Sequence, residues 1–305
     1  MPTAPEANAT RLPPLLELLR PKQWVKNLLV FASPAAAGVL DEPGQLARTT
    51  VLFVAFCLAA SGAYCLNDVV DADADRAHPR KRGRPVASGT VAPRTAVILG
   101  LTLLVAGLLV SLAVSWEAAV VLAVYVALQP IYSLWLKHVA VVDLLVVASG
   151  FVLRAVIGVV GTDVPISNWY LIVASFGSLF LVAGKRSTEL DLGVDDAAQR
   201  GSLDAYTVPF LLLVRGVALS ITLLAYCLWA FEKAELDDQW FPWFELSVLP
   251  FTAGLLRYAL VHEVDQPSGP EEVVFSDRPL QVIGLLWVGC LAVGVYVAGT
   301  PPLPG

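Results

Sequence analysis

Tyr64, Asn67, Asp68, Asp71 and Asp75 recur at three- and four-residue intervals in one run, with Asp73 between the last two. At about 100° per residue the five fall within an arc of roughly 100°, while Asp73 lands on the opposite side. Carboxylate and amide oxygens suit a hard cation such as Mg²⁺, which is usually held by one or two carboxylates together with phosphate oxygens. The stripe therefore predicts a metal-bridged phosphate ligand. Arg80, Lys81, Arg82 and Arg84 follow directly, and cations beside mutually repelling carboxylates fit a bound polyanion. The plainer reading is a solvated acidic helix end. Ionisable groups close to hydrocarbon are costly and tend to mark functional cavities, which favours the first.

The elements that must carry this stripe are membrane helices. Hydrophobic residues make up 57% of the 305 and charged residues only 15%, with a mean hydropathy of +0.70, whereas soluble domains carry about 25% charged residues. Apolar stretches recur at about residues 24–40, 46–66, 93–115, 117–136, 139–161, 167–184, 206–231, 244–262 and 280–299, each near the length that crosses a bilayer. The expected fold is an all-α, polytopic bundle of nine transmembrane helices. The first stretch is interrupted by Lys26, Asn27 and Pro34, which predicts a kinked or oblique entry. Residues 1–20 read as a cytosolic N-terminal tail without the charged and apolar regions of a signal peptide, and 21–305 as one membrane domain. Cys57, Cys65, Cys227 and Cys290 lie inside apolar runs without metal-type spacing, so they read as small core residues.

Basic residues fix an orientation. Arg11, Arg20, Lys22 and Lys26 precede or open the first stretch; Arg76, Arg80, Lys81, Arg82, Arg84 and Arg94 follow the second; Lys137 follows the fourth; Lys185, Arg186 and Arg200 follow the sixth. The alternate connections carry few beyond Arg48 and Lys233, and Trp116, Trp169, Trp240 and Trp243 gather there. The expected location is the cell's inner (plasma) membrane, with the N-terminus and the acidic stripe cytoplasmic.

The sequence N-D-x-x-D-x-x-x-D-R followed by K-R-x-R-P-x-A-S-G resembles the first aspartate motif and basic loop of the UbiA superfamily of membrane prenyltransferases, and the nine stretches extend that likeness over essentially the whole chain. The resemblance implies a helical bundle around a central cavity, Mg²⁺ and a diphosphate near the cytoplasmic side, and a lateral opening for a polyprenyl chain. The superfamily's second D-x-x-x-D motif is replaced here by Lys185-Arg186-Ser187-Thr188-Glu189-Leu190-Asp191. Only Glu189 keeps an acidic role, with Lys185 on the same face, which suggests a donor richer in phosphate than a prenyl diphosphate. That exchange, with the segments 20–27, 132–138 and 176–186, is similar to the phosphoribosyl-transferring branch. Membership there implies 5-phosphoribosyl 1-diphosphate as donor, decaprenyl phosphate as acceptor, and a product serving cell-wall arabinan synthesis (arabinogalactan).

Within that frame Asn67, Asp71 and Asp75 are the expected catalytic metal-site residues, with Asp68 and Glu189 as nearby or water-mediated partners. Tyr64 could bond a donor phosphate or ribose hydroxyl, or be a core aromatic whose hydroxyl finds a buried partner. Lys26 and Arg154 lie within apolar stretches, where a charge must face the interior. Lys26 is a phosphate-ligand candidate; Arg154 either lines the cavity or pairs with Asp143. Lys81 and Arg82 are candidates for substrate, although such clusters also set topology or bind lipid headgroups. Lys137, Lys185 and Arg186 complete the expected substrate set; His78 and His138 carry no assignment. Membrane lipids surround such a chain, nucleic acid is not an expected partner, and a homo-oligomer is left open.

Two rivals remain: a conventional prenyltransferase of the same fold acting on an aromatic or haem-type acceptor, and a transporter or lipid-binding membrane protein whose internal charges line a pathway. The orientation is testable directly, because the connection after the second stretch holds six of the chain's twenty basic residues. A cysteine at Gly83 is expected to resist an impermeant thiol reagent in intact cells while one at Pro43 reacts; preferential labelling at Gly83 reverses the topology.

Overall fold

A computed structural model describes residues 12–78, 81–165, 167–191, 202–237, 241–265 and 270–297. The first eleven residues of the expected tail lie outside these, as do Arg80, Arg200 and Trp240. Twelve α-helices follow in order: α1 (Pro14–Leu19), α2 (Ala32–Ala36), α3 (Pro43–Val70), α4 (Ala72–Ala77), α5 (Pro93–Leu112), α6 (Trp116–Leu134), α7 (Val142–Thr162), α8 (Asn168–Asp191), α9 (Val208–Asp237), α10 (Trp243–Asp265), α11 (Pro270–Ser276) and α12 (Arg278–Tyr296). No strand occurs among the described residues.

Local chemistry sets several starts. Pro43 and Pro93 occupy the first turns of α3 and α5, where the missing N–H is no loss. Ser115 accepts from Ala118 N at 3.1 Å to cap α6, and Asp277 accepts from Leu280 N at 2.7 Å to cap α12. Helices α3, α5, α6, α7, α9, α10 and α12 are long and apolar enough to cross a bilayer, making seven among the described residues. The expected count of nine is not reached on that measure. Helix α8 is long enough, but Lys185, Arg186 and Glu189 load its end with charge.

The first apolar stretch is the other departure. It forms a 3-10 helix over Pro21–Phe31 and then the short α2, not one spanning helix. Runs of this kind longer than three or four residues are uncommon, so side chains must hold it. In a 3-10 helix residues three apart share a face, and Trp24, Asn27 and Val30 form the inward one. Trp24 Nε1 donates to Ser61 Oγ at 3.0 Å, Asn27 Nδ2 to Cys57 Sγ at 3.2 Å, and Val30 is buried with Leu52, Ala55 and Phe56 of α3. Three residues of 3-10 helix and four of α-helix both rise about 6 Å, so the step of three from Trp24 to Asn27 matches the step of four from Ser61 to Cys57 on α3. Ser61 Oγ also donates to Leu19 O at 2.9 Å, tying α1 to the same column.

Small residues let backbones meet elsewhere. A Cβ on Gly62 would lie 2.7 Å from Gly100 O, and one on Gly107 would lie 2.8 Å from Ala55 O, so α3 and α5 touch through their main chains. A Cβ on Gly158 of α7 would lie 2.1 Å from Val30 O, a backbone atom of the 3-10 segment that cannot swing away. Gly158→Ala is therefore expected to destabilise the protein by about 1–3 kcal/mol through overpacking. Gly289→Ala on α12, where nothing lies within 4 Å, should be neutral or stabilising by up to about 1 kcal/mol. Melting in detergent reads both, and equal midpoints would remove the close approach as a constraint.

Candidate active site

Helix α3 ends at Val70, and Asp71, at φ −90° and ψ 3°, separates it from α4. The helical spacing nevertheless survives, because Asp71 N donates to Asn67 O at 2.9 Å and Asp75 N to Asp71 O at 2.8 Å. The oxygen-bearing side chains divide into two rows. Asp68 and Asp75 point inward, 2% and 1% exposed. Asn67 and Asp71 turn towards the end of α6, where Ser133 Oγ donates to Asn67 Oδ1 at 3.1 Å and Lys137 Nζ stands 3.8 Å from Asp71 Oδ1. The Asp73 side chain is 97% exposed and pairs with Arg76.

Two arginines answer the inward row. Arg20, in the left-handed conformation at φ 51° after α1, forms an ion pair with Asp68 and lays its guanidinium 4.8 Å from the centre of the Tyr64 ring. Arg84 Nη1 lies 2.7 Å from Asp75 Oδ2 and 3.6 Å from Asp68 Oδ1. A tightly turned loop delivers Arg84: Val86 and Val91 are buried with Leu18 and Cys65, Gly89 takes φ +77°, and Arg76 Nε donates to Ala87 O at 3.1 Å. Lys81 and Arg82 sit at the start of this loop, Arg82 exposed and Lys81 partly so.

A second network joins the ends of α6, α7 and α8. Arg186 Nε and Nη2 each donate to Asp143 at 2.9 Å, Nη1 reaches Glu189 Oε2 at 2.6 Å, and Nη2 reaches Tyr132 Oη at 3.1 Å. Tyr132 Oη donates in turn to Asp143 Oδ1 at 2.9 Å. Lys185 Nζ stands 3.9 Å from Glu189 Oε1 on the more exposed side. Around Tyr206, which accepts from Val141 N at 2.7 Å, burial pushes the phenol upward from its ordinary pKa and Asp143 adds to the shift.

Of the expected residues, the structure brings Tyr64, Asn67, Asp68, Asp71, Asp75 and Lys137 to one end of the bundle, with Lys185 and Glu189 at the end of α8. Lys26 bonds Gln23 on a side face of the 3-10 segment. Arg186 is enclosed and its guanidinium is engaged by three side chains. Arg154 does not pair with Asp143. Its Nε donates to Asn27 Oδ1 at 2.7 Å, Nη1 to Gly150 O at 2.6 Å and Nη2 to Tyr125 Oη at 3.2 Å, and the rings of Phe56 and Tyr125 lie 4.8 Å from its carbon. Sequence reasoning missed Arg20, Arg84, Ser133, Tyr132 and Asp143 as site-forming residues. For Arg84, its place in the basic run was a signal; for Arg20, its place at the head of the segment 20–27.

No group of three His, Cys, Asp or Glu side chains able to hold a metal ion occurs among the described residues. The donor set still fits a hard cation. Asp75 Oδ1 is buried without a hydrogen-bond partner, Asn67 presents an amide oxygen, and Asp71 is one-third exposed. Mg²⁺ commonly takes only one or two carboxylates and completes its shell with phosphate and water, which these few oxygen donors would suit.

Residues 28–277 match the UbiA prenyltransferase family, and the chain belongs to that family. A decaprenyl-phosphate phosphoribosyltransferase of Mycolicibacterium smegmatis is 42% identical over 95% of this chain and 97% of its own, and one of Corynebacterium glutamicum is 40% identical over 97% and 92%. The fold matches a UbiA homologue from Archaeoglobus fulgidus bound to GPP and Mg²⁺, with a TM-score of 0.72 at 16% identity over 93% of this chain and 99% of that one. The chain is thus a multi-pass membrane protein of the UbiA fold. Within the acidic run, Asp71→Asn is expected to lower transferase turnover at least about 10²-fold, the scale of losing one strong electrostatic stabiliser. Asp73→Asn should keep most activity at equal folded amounts in membranes. Equal inactivation would place Asp73 in the site.

Proposed function

We propose that this protein transfers the 5-phosphoribosyl group from 5-phosphoribosyl 1-diphosphate to decaprenyl phosphate, releasing diphosphate and giving decaprenylphosphoryl-5-phosphoribose at the cytoplasmic face of the plasma membrane. The observation that carries this reading is the 40–42% identity, nearly end to end, with chains bearing that activity's name. The charge layout agrees with it. A donor with both a 5-phosphate and a diphosphate needs several cations, and Arg20, Arg84, Lys137 and Lys185 come from four separate parts of the chain.

Arg20, Arg84 and Lys137 stand beside Asp68, Asp75 and Asp71 and offset their charge. Asp71, Asp75 and Asn67 would hold Mg²⁺ when donor is bound, with Arg20, Arg84 and Lys137, the cations beside these carboxylates and Asp68, available to the donor's phosphate oxygens. Bound there, the metal would draw off charge that gathers on the departing diphosphate. No protein nucleophile is needed. A phosphate monoester has a second pKa near 6, so the acceptor reaches the site largely as a dianion and attacks ribose C1 without a strong base. Tyr64, faced by Arg20, would bond a ribose hydroxyl or phosphate in this reading, and Lys26, Lys81 and Arg82 would extend the phosphate contacts.

A transfer assay in membranes with phosphoribosyl-labelled donor tests the reading. Organic-extractable label is expected only with decaprenyl phosphate and Mg²⁺ present; release of diphosphate without labelled lipid, or prenyl transfer to an aromatic acceptor, would overturn it. In the same assay Lys185→Glu should raise donor KM about tenfold or more, as expected for a reversed charge beside a polyphosphate, and leave acceptor KM near wild type. The opposite split reassigns Lys185 to the acceptor headgroup.

A further inference from the structure

We infer that Asp143, with Arg186 and Tyr132, is a positioning unit: it sets Ser133 and Lys137 against the acidic end of α3 and so governs donor-phosphate binding without touching the donor. The inference rests on the transferase reading above. Three helix ends meet in it, with Tyr132 from α6, Asp143 from α7 and Arg186 from α8, and its charged core is closed to water at 0% exposure for Asp143 and 2% for Arg186. A buried ion pair adds little net stability once desolvation is counted, so stability alone accounts poorly for it.

The last turns of α6 need an external hold. Pro130 lies inside that helix, where it removes one backbone donor and crowds the preceding turn. Two residues on, the Tyr132 hydroxyl is gripped by Asp143 and Arg186, and the next residue, Ser133, donates to Asn67. Lys137 follows in the single 3-10 turn Leu136–His138, and its carbonyl accepts from Ser202 Oγ at 2.7 Å.

The connection into α7 is strained as well as pinned. Val141 sits at φ 66° and ψ −47°, and Val142 N donates to Ala140 O at 2.8 Å, which together define a tight γ-turn. A β-branched residue at positive φ is an outlier, and such strain persists only where surrounding contacts over-determine it. Those contacts are Tyr206 on Val141 N, Ser202 on Lys137 O, and the Asp143 anchor two residues later. The turn between α6 and α7 is thus held in one geometry, and that geometry places Lys137 3.8 Å from Asp71.

A double-mutant cycle between groups that do not touch provides the test. Tyr132→Phe removes one hydroxyl and keeps the ring; it should raise donor KM and leave acceptor KM near wild type. The factor by which Lys137→Ala raises donor KM should shrink about threefold or more in the Tyr132→Phe background, since a misplaced lysine has less to lose. Asp143→Asn alone leaves the buried Arg186 guanidinium with Glu189 as its one remaining carboxylate and threatens the fold. The paired Asp143→Asn/Arg186→Gln variant removes both charges together and should show the same shrinkage. Strictly additive factors in both backgrounds, or a rise confined to acceptor KM, overturn the positioning role. A wild-type protein that transfers no label fails the transferase reading itself, whereas an active wild type with additive variants fails only this inference.

Discussion

Two carboxylates buried at the end of a membrane helix cannot remain charged without cations beside them, and the architecture around the site follows from that requirement. Asp68 and Asp75 stand two helical turns apart on α3 and its continuation α4, and the cations that answer them come from elsewhere: Arg20 from the approach to the 3-10 segment, Arg84 from the loop before α5. Bringing Arg20 in requires α1 to fold back on α3. Bringing Arg84 in requires the basic loop to be compact, which its buried valines accomplish. A charge requirement at one helix end therefore organises the stretch from Arg20 to Arg84, 64 positions apart in sequence.

The sequence made the spacing of the oxygen-bearing side chains on α3 legible, because helical period is a one-dimensional signal and the interruption at Asp71 keeps four-residue bonding, but not their division into an inward row and one facing α6. It could not show which cation answers which carboxylate. Arg20 and Asp68 are 48 residues apart and Arg186 and Asp143 are 43, and nothing in local spacing ranks such partners. Arg154 illustrates the difficulty: an internal arginine near an internal aspartate suggested a pair, yet Asp143 went to Arg186, and Arg154 was satisfied by an amide, a carbonyl, a phenol and aromatic faces. Apolar length likewise located the long helices. Two of the nine stretches do not form helices that meet the length and hydropathy of a span among the described residues: the one containing Pro34, which winds more tightly from Pro21, and the one that becomes α8, which finishes in charge.

The altered end of α8 gains a physical meaning from its partners. An arginine occupies a place in a segment where the family's usual pattern is acidic, and it turns inward to neutralise Asp143 and Glu189 together. The change therefore does more than add one positive charge. It engages two carboxylates, Asp143 and Glu189, and leaves Lys185 as the more exposed cation of that helix end.

The matched rise of the 3-10 segment and α3 bears on how the chain can change length. One residue inserted between Trp24 and Asn27 would turn everything beyond it by about 120° around the segment's axis, and Asn27 and Val30 would both leave the column of α3. An insertion of three would restore the face and displace it by about 6 Å, one α-helical turn along α3, where a four-residue step again meets it. Lineages that lengthen this entry segment should accordingly do so in threes, and the loop after α2, free of any such gearing, is where single-residue gaps should collect.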